Sequence, residues 1–135
     1  MITYRTGNNL ELEAFIELYH ASTLGERRPI ADRARMAAML QHANLVVSAW
    51  DGEQLVGLAR SVSDFSYCTY LSDLAVRVSH QHQGIGTELI RRTRELGGTA
   101  TVILLAAPKA VDYYPRIGFK AHPSAWMLGV SDPLG

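Results

Sequence analysis

The stretch Val76-Arg77-Val78-Ser79-His80-Gln81-His82-Gln83-Gly84-Ile85-Gly86-Thr87-Glu88-Leu89-Ile90 contains a β-branched strand end, a polar turn with two glycines and the opening of an amphipathic helix. The first turn of a helix carries backbone N–H groups that no intrahelical carbonyl can accept, and it sits at the positive end of the helix dipole. Such a junction is an anion site, and most naturally a phosphate site. Glycine suits it because a side chain would obstruct the anion or forbid the backbone angles of the turn. The simplest alternative is a glycine turn that only joins strand to helix.

Two familiar phosphate motifs do not fit. A dinucleotide turn of the Gly-x-Gly-x-x-Gly type needs a third glycine, where this chain has Leu89, and it opens a βαβ unit rather than lying past mid-chain. A Walker turn needs Gly-Lys-Ser/Thr, which is absent.

Outward from the turn, Ile85 to about Leu96 has helical spacing, with Leu89, Ile90 and Leu96 inward, and Gly97-Gly98 ends it. Thr99 to Ala106 is nearly continuously apolar and predicts a strand buried on both faces. Pro108 opens a short helix to about Ile117, stopped by Gly118, and Phe119 to Gly129 returns as a final strand broken by Pro123. Upstream, Tyr67 to Val78 is a long strand, preceded by a hairpin of Leu45–Trp50 and Gln54–Val62 about Asp51-Gly52, with Gly57 as an interruption. Ile2 to Arg5 is a first strand. Asn8 and Asn9 can cap the helix holding Leu10, Leu12, Phe15, Ile16, Leu18 and Tyr19. Ser22 to Ile30 is a loop, and Asp32 caps a second helix through His42. The order predicts one α+β domain over residues 1–135 with a mixed sheet.

The 135 residues suffice for one core. Thirteen basic residues balance thirteen acidic ones, which argues against nucleic acid, an anionic membrane or a polycationic substrate as main partner. Cys68 is the single cysteine, so no internal disulfide forms; a partly buried, unreactive thiol and a reducing compartment are expected. No targeting or spanning segment is visible, and the expected location is cytoplasmic.

Two further matches give the glycine turn a family. Gln81-His82-Gln83-Gly84-Ile85-Gly86, the preceding Asp73-Leu74-Ala75-Val76, and Tyr113-Tyr114-Pro115-Arg116-Ile117-Gly118-Phe119 downstream resemble the signature segments of the GNAT superfamily of acetyl-CoA-dependent N-acetyltransferases. Element order agrees along about the whole chain. The resemblance implies a mixed, mostly antiparallel central sheet flanked by about four helices, in a single domain. It also implies acetyl-CoA as co-substrate, no metal, a primary-amine acceptor on a small molecule or peptide, and direct attack by that amine. Homodimers are common among such proteins.

By this resemblance Gln81, His82, Gln83, Gly84, Ile85, Gly86 and Thr87 wrap a pyrophosphate with backbone amides. Val76 and Val78 bond the pantetheine arm through their main chain, which slips into a gap between the splayed strands on either side. His80 and His82 add charge there or are simply solvated. Tyr114 corresponds to a tyrosine that protonates the departing thiolate, or else packs on Phe119, with Tyr113 in the core. A phenol near pKa 10 donates to a thiolate near 8.5 only uphill. An amine of pKa about 10.4 is neutral in about one molecule in 2,500 at pH 7, a burden of about 4.6 kcal/mol that a general base would reduce. Asp73 is the candidate base, with ammonium binding and loop capping as its other roles. On a regular strand Tyr70 and Ser72 face away from Asp73, so only one set meets the acceptor unless a bulge intervenes. Arg27 and Arg28, in the loop where relatives hold the acceptor, suit a carboxylate or phosphate or else belong to a solvated surface loop; His122 to Trp126 is the other acceptor segment. Relatives carry an asparagine where this chain has Ala106-Ala107-Pro108-Lys109. An acyl-CoA sensor without catalysis, and an acyltransferase with a longer acyl group or hydroxyl acceptor, remain alternatives.

Overall fold

Strand β1 (Ile2–Thr6) pairs antiparallel with β2 (Leu45–Asp51), β2 with β3 (Gln54–Ser63), and β3 with β4 (Cys68–Val76), while β5 (Thr101–Ile103) joins β4 in parallel, in a computed structural model that describes all of residues 1–135. This is the expected mostly antiparallel sheet. Four helices accompany it: α1 (Leu12–His20), α2 (Arg33–Gln41), α3 (Ile85–Leu96) and α4 (Tyr113–Arg116). The chain divides into two compact units, Met1–Leu105 and Ala106–Gly135, and the first holds the whole sheet.

Local chemistry explains most boundaries. The Asp32 carboxylate accepts from the Arg35 N–H at 3.1 Å and caps α2 as expected. Asn8 does not cap α1, whose N-cap is Glu11 without a side-chain bond. Its amide instead donates to the carbonyls of Leu40, Gln41 and Ala43, closing the C-terminal end of α2. Gly52 turns the β2–β3 hairpin at φ +59°, and Gly98 follows α3 at φ +68°. Ser22–Ile30 contains a short 3-10 helix, Thr23–Arg27.

Phe15, Leu18 and Tyr19 of α1 and Met36 and Leu40 of α2 pack with Val46, Leu55, Leu58 and Ala75 on one face of the sheet. Helix α3 buries Ile85, Leu89 and Ile90 on the other. Strand β3 runs through Gly57 but its register with β2 shifts beside it, Ala49 pairing with Gly57 and Trp50 with Leu55. A Cβ at Gly57 would stand 3.1 Å from Ile85 and Leu89 side-chain atoms, so the missing side chain admits α3.

Several expectations fail for identifiable reasons. Leu96 is exposed, and Thr93, one turn earlier, is buried in its place with its hydroxyl on the Leu89 carbonyl. The strand expected over Thr99–Ala106 is only three residues long and carries exposed Thr101 and Ile103, because it pairs with the first three residues of β4 alone. The helix expected from Pro108 divides into a 3-10 turn, Pro108–Ala110, and the four residues of α4. Phe119–Gly129 forms no strand. Pro123 removes a ladder donor, and the segment closes on itself: Ser124 N–H bonds His122 Nδ1, and Gly129 N–H bonds Asp132. Tyr113 is half-buried rather than core, and Cys68 is exposed.

Candidate functional site

The glycine turn is built from both sides. A 3-10 turn, Val78–His80, leaves β4, and His82 and Gly84 then adopt positive φ (63° and 82°) before α3 begins at Ile85. His80 is held, not solvated: its Nε2 lies 2.9 Å from Asp51 at the β2–β3 hairpin and its Nδ1 2.8 Å from the Ser79 hydroxyl. The Gln81 amide donates to the Val76 carbonyl at 3.1 Å. The turn is thus tied to the β2–β3 hairpin and to β4, with Gly84-Ile85-Gly86-Thr87 as the first turn of α3. Its N–H groups have no carbonyl one turn earlier in the helix to bond. A Cβ built on Gly84 would meet nothing within 4 Å. Glycine is required there by its backbone angle, and open space lies in front of it.

Glu88 is the one acid in this first turn. Arg91 and Arg92 bond its carboxylate, which holds its pKa down to about 2 and keeps it ionised, and their two positive charges offset that negative charge near the start of α3.

Strand β4 supplies a second feature. The Arg77 N–H donates to the Val56 carbonyl at 2.8 Å, in register with the Gly57–Val76 pair. Antiparallel alternation then turns the main-chain groups of Val76 and Leu74 away from β3. On that side β5 accompanies β4 only from Cys68 to Tyr70. Their pairing ends there, and the β4 edge beyond has no neighbouring strand. Val78 does not share it: its N–H donates to Ala21 O and its carbonyl accepts from Gln81 N–H. Of the two residues expected to pair with the pantetheine arm, Val76 lies on this open edge beside Leu74, whereas the main-chain groups of Val78 are engaged elsewhere.

Asp73 departs furthest from expectation. Its side chain is fully buried, and its two oxygens accept from Arg28 Nε (2.6 Å), Ser72 Oγ (3.3 Å), Tyr19 Oη (2.6 Å) and Arg60 Nε (2.5 Å). Burial alone would raise its pKa. The Arg60 hydrogen bond and charge, then Tyr19 and Arg28, outweigh that and hold the carboxyl below its ordinary range. A general base needs an open lone pair and a pKa near the working pH. Asp73 has neither, so the base role does not fit this geometry.

A bulge resolves the face question. Arg60 pairs with Asp73 but Ser61 with Leu71, which leaves Ser72 as the extra residue on β4. Since β3 alternates regularly from Arg60 to Val62, their partners Asp73 and Tyr70 share one face, against the expectation for a regular strand. Ser72 gives its carbonyl to Arg28 Nη2 and its hydroxyl to Arg60 Nη2. Arg28 is thereby built into the site, whereas Arg27 is exposed and contributes its main-chain carbonyl, at 2.8 Å from Arg28 Nη1.

Tyr19 and Arg60, and the Arg77–Glu17 pair with its two bonds of 2.8 and 2.5 Å, were not singled out from the sequence. Their signal is an arginine inside an otherwise apolar strand run, which requires a buried partner. In the second unit Tyr114 packs edge-on against Tyr113 and Phe119, at centroid distances of 5.2 and 5.4 Å. Burial, and then the neighbouring Tyr113, raise its pKa. No three His, Cys, Asp or Glu side chains gather where a metal could be held, and no helix is long and apolar enough to cross a membrane.

Comparison with known proteins gives this arrangement a context. Residues 20–126 match the acetyltransferase (GNAT) domain family. The chain is 28% identical over 114 residues to histone acetyltransferase TAP1 of Glycine max, covering 72% of this chain and 47% of that protein. It thus spans about half the length of that curated relative. A GNAT-family acetyltransferase of Streptococcus pneumoniae is 29% identical, with a TM-score of 0.73 over 95% of this chain and 98% of its own. An aminoglycoside N-acetyltransferase solved in complex with CoA shares the fold, with a TM-score of 0.74 at 16% identity over 96% and 94% of the two chains. The match over most of the chain, with the glycine turn and the short β4–β5 pairing inside it, means that this protein belongs to the GNAT acetyltransferase family.

Proposed function

We propose that the protein transfers an acetyl group from acetyl-CoA to a primary amine of a small molecule or peptide by direct attack, and that both units form one acetyltransferase domain. The family match spans residues of both units, which supports the latter. The observation that carries the former is the glycine turn: Gly84 at positive φ, open space before it, and the first turn of α3 directed there. A pyrophosphate fits such a turn through backbone amides, with no basic side chain needed. The main-chain groups of Leu74 and Val76 suit the amides of a pantetheine arm, since they lie on the edge that β5 leaves.

Acetyl-CoA would supply an activated thioester. The chain's own tasks are to orient it along β4, to exclude water, and to hold a proton for the departing sulfur. Tyr114 Oη is the candidate for that proton. Its raised pKa keeps the phenol protonated and makes donation more uphill, so its help is modest. With Asp73 committed to arginines, the acceptor's proton has no side-chain base assigned. That observation favours the second reading, an acyl-CoA-binding domain without turnover, and activity decides between them. A panel of amines with acetyl-CoA, followed by release of free CoA thiol, should give turnover above the hydrolysis background; binding without release would support the sensor.

A longer acyl group or a hydroxyl acceptor would register in the same assay. A cytoplasmic location goes with this reading. The Arabidopsis relative named GCN5-related N-acetyltransferase 2, chloroplastic, matches 54% of this chain, and a plastid location would leave the chemistry unchanged. Sedimentation would test for a homodimer.

A further inference from the structure

Two guanidinium groups share one buried carboxylate on the face of β4 that carries Tyr70. Arg28 and Arg60 both bond Asp73, so the cluster holds two positive charges against one negative. The remaining acceptors are dipoles: the Ser72 and Arg27 carbonyls on Arg28, and the Met39 carbonyl and Ser72 hydroxyl on Arg60. Arg60 is 10% exposed, but the Arg28 side chain is 21% exposed. A guanidinium has five N–H groups. Arg28 spends three on Asp73 Oδ1, Arg27 O and Ser72 O. An excess positive charge, rigidly oriented and open to solvent at one end, is thus built beside the β4 bulge.

From the bulge, an apolar row runs across the same face. Val62 pairs with Tyr70 and Tyr70 with Ile103, and the three are 49%, 41% and 51% exposed. All of these residues belong to the first unit.

We infer that the acceptor is a small amine bearing a carboxylate, with Arg28 pairing the carboxylate and the Val62–Tyr70–Ile103 row carrying its apolar body. The inference rests on the acetyltransferase reading, whose acceptor it specifies. Charge complementarity is its ground: an acid relieves the cluster's excess charge and can meet the free N–H groups of a fixed fork. A lysine-rich peptide would bring further positive charge to the same place.

Two measurements test it. The first needs no turnover: 3-phenylpropanoate and 3-phenylpropanamide are titrated calorimetrically into the protein. The acid should bind at least about tenfold more tightly, and Arg28→Gln should reduce that ratio to about twofold or less. Equal binding by acid and amide in the unaltered protein overturns the inference, whether or not the variant folds. Arg28→Lys, which keeps the charge and loses the fork, should retain an intermediate ratio.

The second compares kcat/KM for L-phenylalanine, L-phenylalaninamide and a lysine-rich peptide with acetyl-CoA. Preference for the carboxylate supports the inference. Faster acetylation of the amide or peptide overturns it and leaves the acetyltransferase reading intact. A carboxylate preference in binding, with no acetylation of any amine, removes the acetyltransferase reading and with it the acceptor.

Discussion

Asp73 holds together three segments distant in sequence: α1 through Tyr19, the loop before α2 through Arg28, and β3 through Arg60. Removing its charge leaves the buried Arg60 guanidinium, and the partly exposed Arg28, without their counter-ion, and breaking a buried pair costs about 3–5 kcal/mol. Asp73→Asn should therefore lower the unfolding free energy from urea titration by that order, whereas loss of a mere base would lower kcat and leave stability alone. The pH dependence has a definite sign. The folded carboxyl lies below its unfolded value of about 3.9, so its contribution is complete above that value and disappears as pH falls through the depressed native pKa. Acid unfolding of the unaltered protein should show this loss below about pH 4, and Asp73→Asn should lose less stability across the same window. Tyr114→Phe should lower kcat by about 10–100-fold, at the low end for general acids, with acetyl-CoA affinity retained. Equal turnover would leave the ring's packing on Phe119 as its role.

Helix α3 is seated by a residue that has no side chain. Gly57→Val would drive a branched group into Ile85 and Leu89, already 3.1 Å from a bare Cβ, and should destabilise by about 1–3 kcal/mol in thermal unfolding. Elements set by local chemistry were legible in advance: Asp32 caps α2, Gly52 turns the hairpin, and Gly84 opens α3, each through its own backbone and immediate neighbours. Elements that depend on a distant partner were not. The bulge at Ser72 exists only in the register of β4 against β3, and it reversed the expected relation of Tyr70 to Asp73. The Asp73 cluster draws on residues 19, 28 and 60, which no spacing rule links. Phe119–Gly129 has strand-like composition but closes its own turns instead of pairing. Composition states what a segment can do, and pairing decides what it does.

At the scale of the whole molecule, the glycine turn, the early end of β4–β5 pairing and the family match over residues 20–126 bear on the proposed donor, and Arg28 and its neighbours bear on the proposed acceptor. The central claim is that the turn before α3 cradles the pyrophosphate of acetyl-CoA. Its most direct test is calorimetric titration of acetyl-CoA into the protein and into Gly84→Asp. Because a Cβ at Gly84 meets nothing within 4 Å, the substitution adds like charge and backbone strain without a packing clash. Affinity should fall by at least about 100-fold, or about 2.7 kcal/mol, with the melting temperature changed by only a few degrees. Equal affinity in the two proteins would contradict the account.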